Sequence, residues 1–350
     1  VNEERRIWGV TTPHLPAAMI AAMAAQSEEA GVTGVFAPQV LGPPFAPLAA
    51  AATSTNQLQL ASGIALAFAR SPFETAMAAI DMDRMSGGRF TLGLGPSVKA
   101  WSEKLFGQPY GKPLAHLKEV MDVVRLLVAK GHTGELTTYE GDYVNVDFTF
   151  FPPHSPPVRT EIPIWVAALR GALVRFGAQH ADGVIGHPMW SRRWIAEEVP
   201  HRLAEGLARG GRDRSEIEVN VWPFVAIDDD VKAATDAARN TVAFYASAEQ
   251  YESYFEWHGW GDVARSLYER VDQGDMRTGS FAAAGELVPD EMVRDFFIVG
   301  SRDDCLAQLE PIWEVADSIT PVPPTWGIEM GDTLTYTMRI AEALYPAAQG

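Results

Sequence analysis

Apolar residues fall at two alternating spacings along this chain. Short continuous runs at RIWGVTT (6–12), TGVFAPQ (33–39), LQLASGIALAF (58–68) and RFTLGLG (89–95) read as buried strands. Between them, AAMIAAMAAQSEEAG (17–31), FAPLAAAATST (45–55) and PFETAMAAIDMDRM (72–85) read as helices, the first with a glycine just past its end. The clearest helix is PLAHLKEVMDVVRLLVAKG. Pro113 opens it, Gly131 closes it, and Leu117, Val120, Met121, Val124, Leu127 and Val128 share one apolar face. Residues 133–152 break the rhythm: rich in Thr, Tyr, Val and Phe around Gly141-Asp142, they predict a β-hairpin within an insertion at 133–160.

Strand and helix then alternate again: IPIWVAA (162–168), a helix near 170–180, DGVIG (182–186), a helix over 191–210 that Pro200 should bend or divide, and EIEVNVWPFVAI (216–227). A helix from about 229 leads into an aromatic and charged stretch at 248–295. FFIVG (296–300), a helix, SITPV (318–322) and a last helix from 331 complete the pattern. Eight strands, counted from 6, 33, 58, 89, 162, 182, 216 and 318 and each followed by a helix, are what a (β/α)8 TIM barrel requires, with FFIVG as an extra strand. The expected organisation is α/β, one barrel domain over 1–350, with a variable insertion at 248–295 before the last strand. In such a barrel the chemistry lies at the C-terminal ends of the strands.

Composition narrows the function. With 350 residues and 47% hydrophobic side chains the chain can bury a large core. A net charge of −17 argues against a nucleic-acid or anionic membrane surface, so an anionic ligand must find a local positive spot. No run is long enough to span a membrane, and no apolar signal core follows VNEERRIWG, so the expected location is cytoplasmic. The single cysteine, Cys305, cannot form an internal disulfide and leaves too few thiolates for a cysteine-based zinc site. With neither His-X-His after strand one nor HExxH, no metal is expected, and Asp228-Asp229-Asp230 reads as a helix start.

SGGRFTLGLGPSVKAW (86–101) contains a Gly-X-Gly, but proline follows the second glycine and no third glycine completes a dinucleotide fingerprint. The segment instead ends a barrel strand at Gly95, with Ser97 beyond it. Taken with ALAFARSPFETAMAAIDMDRM upstream and IPIWVAALRGALVRFGAQHADGVIG downstream, it resembles the luciferase-like monooxygenase superfamily of flavin and deazaflavin enzymes, most closely the coenzyme F420-dependent branch. R-S-P, S-G-G-R-F-x-L-G-L-G, P-I-W-V-A-A and A-D-G-V-I, in that order and spacing, carry the resemblance over residues 6–230.

The resemblance implies a (β/α)8 barrel whose third strand bulges, often at a non-prolyl cis peptide, behind a tricyclic ring; the matching residues are Ser62, Gly63 and Ile64. It places Gly95, Pro96 and Ser97 beside the ring or its ribityl chain. It assigns phosphate to Ala167, Ala168, Leu169, Arg170 and Gly171 at the start of the fifth helix, and adds Gly186 and His187 after strand six. A helix N-terminus suits an anion, and Arg170 with Arg175, Arg192 or Arg193 would supply charge. Relatives commonly carry an acid or amide and a histidine at the end of strand two, and many a glutamate after the Gly-X-Gly. Here those positions hold Gln39, followed by VLGPPF, and Val98-Lys99. Gln39 hydrogen-bonds but is no acid at neutral pH.

The catalytic candidates are therefore Gln39 and the histidines at strand ends, His14 and His187. The leading expectation is an F420-dependent oxidoreductase exchanging a hydride with a small hydrophobic substrate, acting as a homodimer. An FMN-dependent monooxygenase and a non-catalytic cofactor-binding barrel are the alternatives. The aromatics of 248–295 suggest a lid, a pocket wall, an interface or core packing in equal measure.

Overall fold

The computed structural model describes residues 5–11, 15–39, 42–271 and 282–345. Its strands are β1 (Arg6–Val10), β2 (Gly34–Ala37), β3 (Gln59–Ser62), β4 (Ala65–Leu66), β5 (Phe90–Gly95), β6 (Thr138–Glu140), β7 (Asn145–Asp147), β8 (Ile164–Ala168), β9 (Gly183–Gly186), β10 (Glu218–Val221), β11 (Phe224–Ile227), β12 (Phe297–Gly300) and β13 (Ser318–Ile319). Hydrogen bonding follows the order β3-β2-β1-β13-β10-β9-β8-β5, and β3 also pairs with β5. The fold is a (β/α)8 barrel. The chain divides into two compact units, one of residues 8–185 and 202–219, the other of residues up to 7, 186–201 and 220 onward.

In the first unit the parallel register runs Val35 to Leu60, Leu60 to Phe90 and Leu92 to Ile164, which puts β2, β3, β5 and β8 side by side. These strands are buried throughout or nearly so, as parallel strands covered by helices must be. Trp8, Phe36 and Trp165 interlock with centroids 4.7 to 6.1 Å apart, and Gly34 leaves the room that the Trp8 ring fills. Around them lie α1 (Ala17–Glu29), α2 (Phe45–Ala52), α3 (Pro72–Ser86), α4 (Pro113–Lys130) and α5 (Gly171–His180). Helix α3 shows how the local sequence sets its ends. The Ser71 hydroxyl accepts from the Glu74 N–H, Pro72 occupies the first turn, and Gly87 closes it at φ +66°. Arg89 then ties the following turn down, donating to the carbonyls of Ser86, Leu58 and Thr55 at 2.6 to 3.0 Å.

The hairpin of the expected insertion is present: β6 and β7 are antiparallel, and the Glu119 carboxylate accepts the N–H groups of Asp142, Tyr143 and Val144 in its turn. Two expected strands are divided. The run 58–68 breaks between β3 and β4 at the Gly63–Ile64 peptide, which is cis. The run 216–227 breaks between β10 and β11 at Trp222-Pro223, where proline brings no N–H to a ladder. Pro200, by contrast, does not divide its helix: α6 (Arg192–Gly210) runs through it.

In the second unit β13 lies between the start of β1 and the end of β10, pairing Ser318 with both Arg6 and Asn220. The buried Asn220 amide donates to Ser318 Oγ and accepts from Thr320 Oγ1, at 2.8 and 2.9 Å. FFIVG is an extra strand as expected, β12, paired with β11 through Phe224 and Phe297, whose rings stack at 4.5 Å. The stretch after α7 (Val231–Ala246) holds α8 (Glu252–Trp257) and α9 (Gly261–Arg270); the aromatics of α8 pack inward, while Tyr268 on α9 is exposed. Tyr254 and Phe255 are buried, and Trp194 meets Tyr254 and Trp257 edge to face.

Candidate active site

Three strand ends of the first unit converge. A Cβ on Gly95 at the end of β5 would overlap Cδ1 of Ile64 and touch the Cβ of Ala167 at the end of β8. Glycine is therefore required for Ile64 and Ala167 to close around this point. Behind it, the Gly63 N–H donates to Ala37 O at 2.8 Å, and the Gln39 N–H donates to Ile64 O at 3.3 Å, so the break after β3 is tied to the end of β2. Beyond Gly95, Ser97 has φ +59°, the left-handed region that a non-glycine residue enters at some cost. The Tyr110 hydroxyl holds it there by donating to Ser97 O at 3.0 Å. Burial pushes the Tyr110 phenol up, against the pull of the Arg170 charge. Phe68 meets the Tyr110 ring edge-on and stacks on His116 at 3.9 Å, and burial pushes the His116 imidazole down.

Helix α5 begins directly after β8. Arg170 precedes it in an extended conformation and no side chain caps its first turn, so N–H groups are left for an anion. Gly171 is hemmed in by the Arg202 side chain, whose Nε lies 2.7 Å from where a Cβ would stand. Arg202 and Arg175 both bridge to Glu205 at 3.2 Å.

At the end of β2, the Gln39 Oε1 accepts from the Leu66 N–H at 3.0 Å and from Arg70 Nη2 at 2.9 Å. Two donors on one oxygen fix the amide: its NH2 faces elsewhere. In the second unit, His187 Nδ1 accepts from the Met189 N–H at 3.1 Å, so its proton sits on Nε2, 3.2 Å from the Tyr251 hydroxyl. Burial pushes its pKa down to about 3. It is a neutral imidazole with both nitrogens engaged.

The family model for luciferase-like monooxygenases matches residues 5–316. The chain belongs to the luciferase-like monooxygenase family. A Mycobacterium tuberculosis protein provisionally named a coenzyme F420-dependent oxidoreductase is 32% identical over 88% of this chain and 90% of its own. The coenzyme F420-dependent tetrahydromethanopterin reductase of Methanopyrus kandleri superposes with a TM-score of 0.79 at 22% identity, covering 98% of this chain and 99% of the other. The oxygenating constituent of 3,6-diketocamphane monooxygenase from Pseudomonas putida, in complex with FMN, superposes with a TM-score of 0.64 at 14% identity, covering 98% of both chains. These two structures share the luciferase-like fold.

Of the residues that sequence singled out in this luciferase-like chain, Gly63, Ile64, Gly95, Pro96, Ser97 and Ala167 through Gly171 belong to the strand ends and helix start just described. Ser62 is placed otherwise. Its side chain is fully buried, with the hydroxyl donating to Gly93 O and accepting from Gly93 N–H, so it braces the wall and offers nothing to a ligand. Gly186 lies against the Trp190 ring in the second unit, and His14 lies outside the described residues. Arg192 is spent on Gln308 and the Arg294 carbonyl, while Arg193 pairs with Glu197 and covers the Trp257 ring. Sequence reading missed Arg70, Tyr110 and Arg202. The placement of Arg70 directly before the Ser-Pro start of a helix was the one available signal; nothing local marks Arg202. Among the described residues no group of three or more His, Cys, Asp or Glu is placed to hold a metal ion, and no helix is long and apolar enough to cross a membrane.

Proposed function

We propose that this luciferase-like protein is a coenzyme F420-dependent oxidoreductase that exchanges a hydride with a small, largely apolar organic substrate. The observation that carries this is the convergence of Ile64, Gly95 and Ala167 next to an uncapped helix start at Arg170-Gly171. An apolar wall beside a helix start that no side chain caps fits a flat ring joined to a phosphate. The relative provisionally named F420-dependent, at 32% identity, supports the deazaflavin.

When bound, the deazaflavin supplies the hydride acceptor or donor at ring carbon five. Ile64 and Ala167 would support the ring, and Gly95, lacking a Cβ, lets the Ile64 side chain take that position. Tyr110 fixes the Ser97 turn at its flank, and the first turn of α5 with Arg170 binds phosphate. Gln39 orients a substrate oxygen through its NH2, since its own oxygen is occupied. His187, in the second unit, is a neutral, fixed imidazole; a group that titrates near 3 is a poor proton donor at neutral pH. A cytoplasmic homodimer belongs to the same reading, by analogy with related barrels.

One observation favours a second reading, an FMN-dependent monooxygenase. Gln39 and Arg70 present hydrogen-bond donors but no acid at the strand-two end, and the structural neighbour from Pseudomonas putida is in complex with FMN. The test incubates the protein with reduced F420 and a panel of aldehydes, ketones and enones, and follows reappearance of oxidised F420. Substrate-dependent oxidation supports the proposal. Product formation only with reduced FMN and oxygen would replace it with the second reading.

A further inference from the structure

Three half-buried arginines of the first unit fall into two kinds. Arg89 donates to the carbonyls of Ser86, Leu58 and Thr55 and to the Thr55 hydroxyl, and Arg159 pairs with the buried Asp83 and the Phe90 carbonyl. Arg89 has an acceptor for each of its three nitrogens, and Arg159 sets Nε and Nη2 against a buried carboxylate and a carbonyl. Arg70 is different. Among the described residues its one hydrogen bond runs from Nη2 to Gln39, and Nη1 is shut off from solvent with no partner. No carboxylate among the described residues pairs with it; Glu74, the acid that acts on it through space, is exposed on the first turn of α3. The Phe45 ring beneath the cation, 5.3 Å from its centroid, compensates it only in part.

A desolvated cation with an idle donor is costly to keep, and an arginine fork matches a planar two-oxygen anion. Beside it, the Gln39 amide has spent its oxygen on Leu66 and Arg70, and so contributes only N–H donors. Arg70 is half-buried, so the residue remains within reach of a ligand.

We propose that Arg70 and Gln39 form a donor pair that recognises a planar oxyanion. Its source is either a substrate carboxylate or the anionic pyrimidine edge of the reduced cofactor ring. The location of the pair within the cofactor site rests on the function proposed above; the need for an anion does not.

The test uses the full chain, alone and loaded with F420, and titrates benzoate against benzamide by calorimetry. It also titrates oxidised and reduced F420, in wild type, Arg70→Met and Arg70→Lys. Expected for a substrate carboxylate is benzoate binding that weakens about ten- to a hundredfold in Arg70→Met and less in Arg70→Lys, with benzamide unmoved. Expected for the ring is the same loss confined to reduced F420. In either case the Tm of Arg70→Met is unchanged or raised, because an unpaired buried cation has been removed. A purely structural arginine would lower Tm and leave these affinities alone. Equal affinities in wild type and both variants overturn the proposal, as does an Arg70→Met that cannot fold while Arg70→Lys binds every probe as wild type does. Benzoate binding without any binding of F420 or FMN would leave this proposal standing and sink the function proposed above; the reverse would do the opposite.

Discussion

The Ser62 hydroxyl holds both ends of the Gly93 residue, donating to its carbonyl and accepting from its N–H, each at 2.9 Å. This clasp joins β3 to β5 immediately before the break at Gly63, beyond which β4 continues the pairing with β5. Removing it leaves a buried N–H without an acceptor, and Ser62→Ala is expected to cost about 1–3 kcal/mol in urea unfolding. Gly93→Ala is the harsher change, because its Cβ would overlap the Ser62 carbonyl, which is backbone and cannot move aside. A loss above about 4 kcal/mol, or failure to fold, is expected there.

Gly95 is crowded in a different way. The atom in its path is the tip of the Ile64 side chain, which can turn away. Gly95→Ala should therefore fold, losing about 1–3 kcal/mol, while the displaced Ile64 intrudes where the ring is expected. Cofactor affinity measured by fluorescence titration should fall about tenfold, more than the stability loss alone would produce.

His187 ties pH to stability. Its folded-state pKa of about 3 lies below the ordinary imidazole value, so between the two the unfolded chain binds the extra proton. Stability thus falls as pH drops below about 6.5, by up to about 1.4 kcal/mol per unit from this group. His187→Gln should flatten that part of the unfolding profile. In the intact enzyme, kcat/KM should show no titration of this histidine between about pH 5 and 8.

Cys305 is 1% exposed, and burial pushes its thiol up to about 12. A thiol so protonated and enclosed is unreactive. Iodoacetamide at mildly alkaline pH should leave the native protein unmodified and alkylate one site per chain after unfolding; rapid modification of the native protein would show that the helix beginning at Arg302 opens.

The barrel was legible because its strands are short apolar runs and its helices carry distinct ends, such as Ser71-Pro72 and Gly87 on α3. All eight strand positions followed from that punctuation. The divisions at Gly63 and at Pro223 were less legible, since an unbroken apolar run looks the same whether the backbone stays in one ladder or changes partner. The site divides along the same line. Gly95 and Ala167 lie at strand ends, which periodicity marks, and the family resemblance is what singled the two residues out. The clasp role of Ser62, the idle donor on Arg70 and the approach of Arg202 to Gly171 depend on contacts between residues far apart in sequence, which no local pattern encodes. His187 was singled out as a histidine at a strand end; the burial that pushes its pKa down to about 3 is a property of packing alone.

The most direct test of the central claim is a parallel titration of the purified protein with F420 and with FMN under one set of conditions. The account predicts saturable F420 binding that weakens in Gly95→Ala, and FMN binding weaker by at least about tenfold. Tight FMN binding with none for F420 would contradict it.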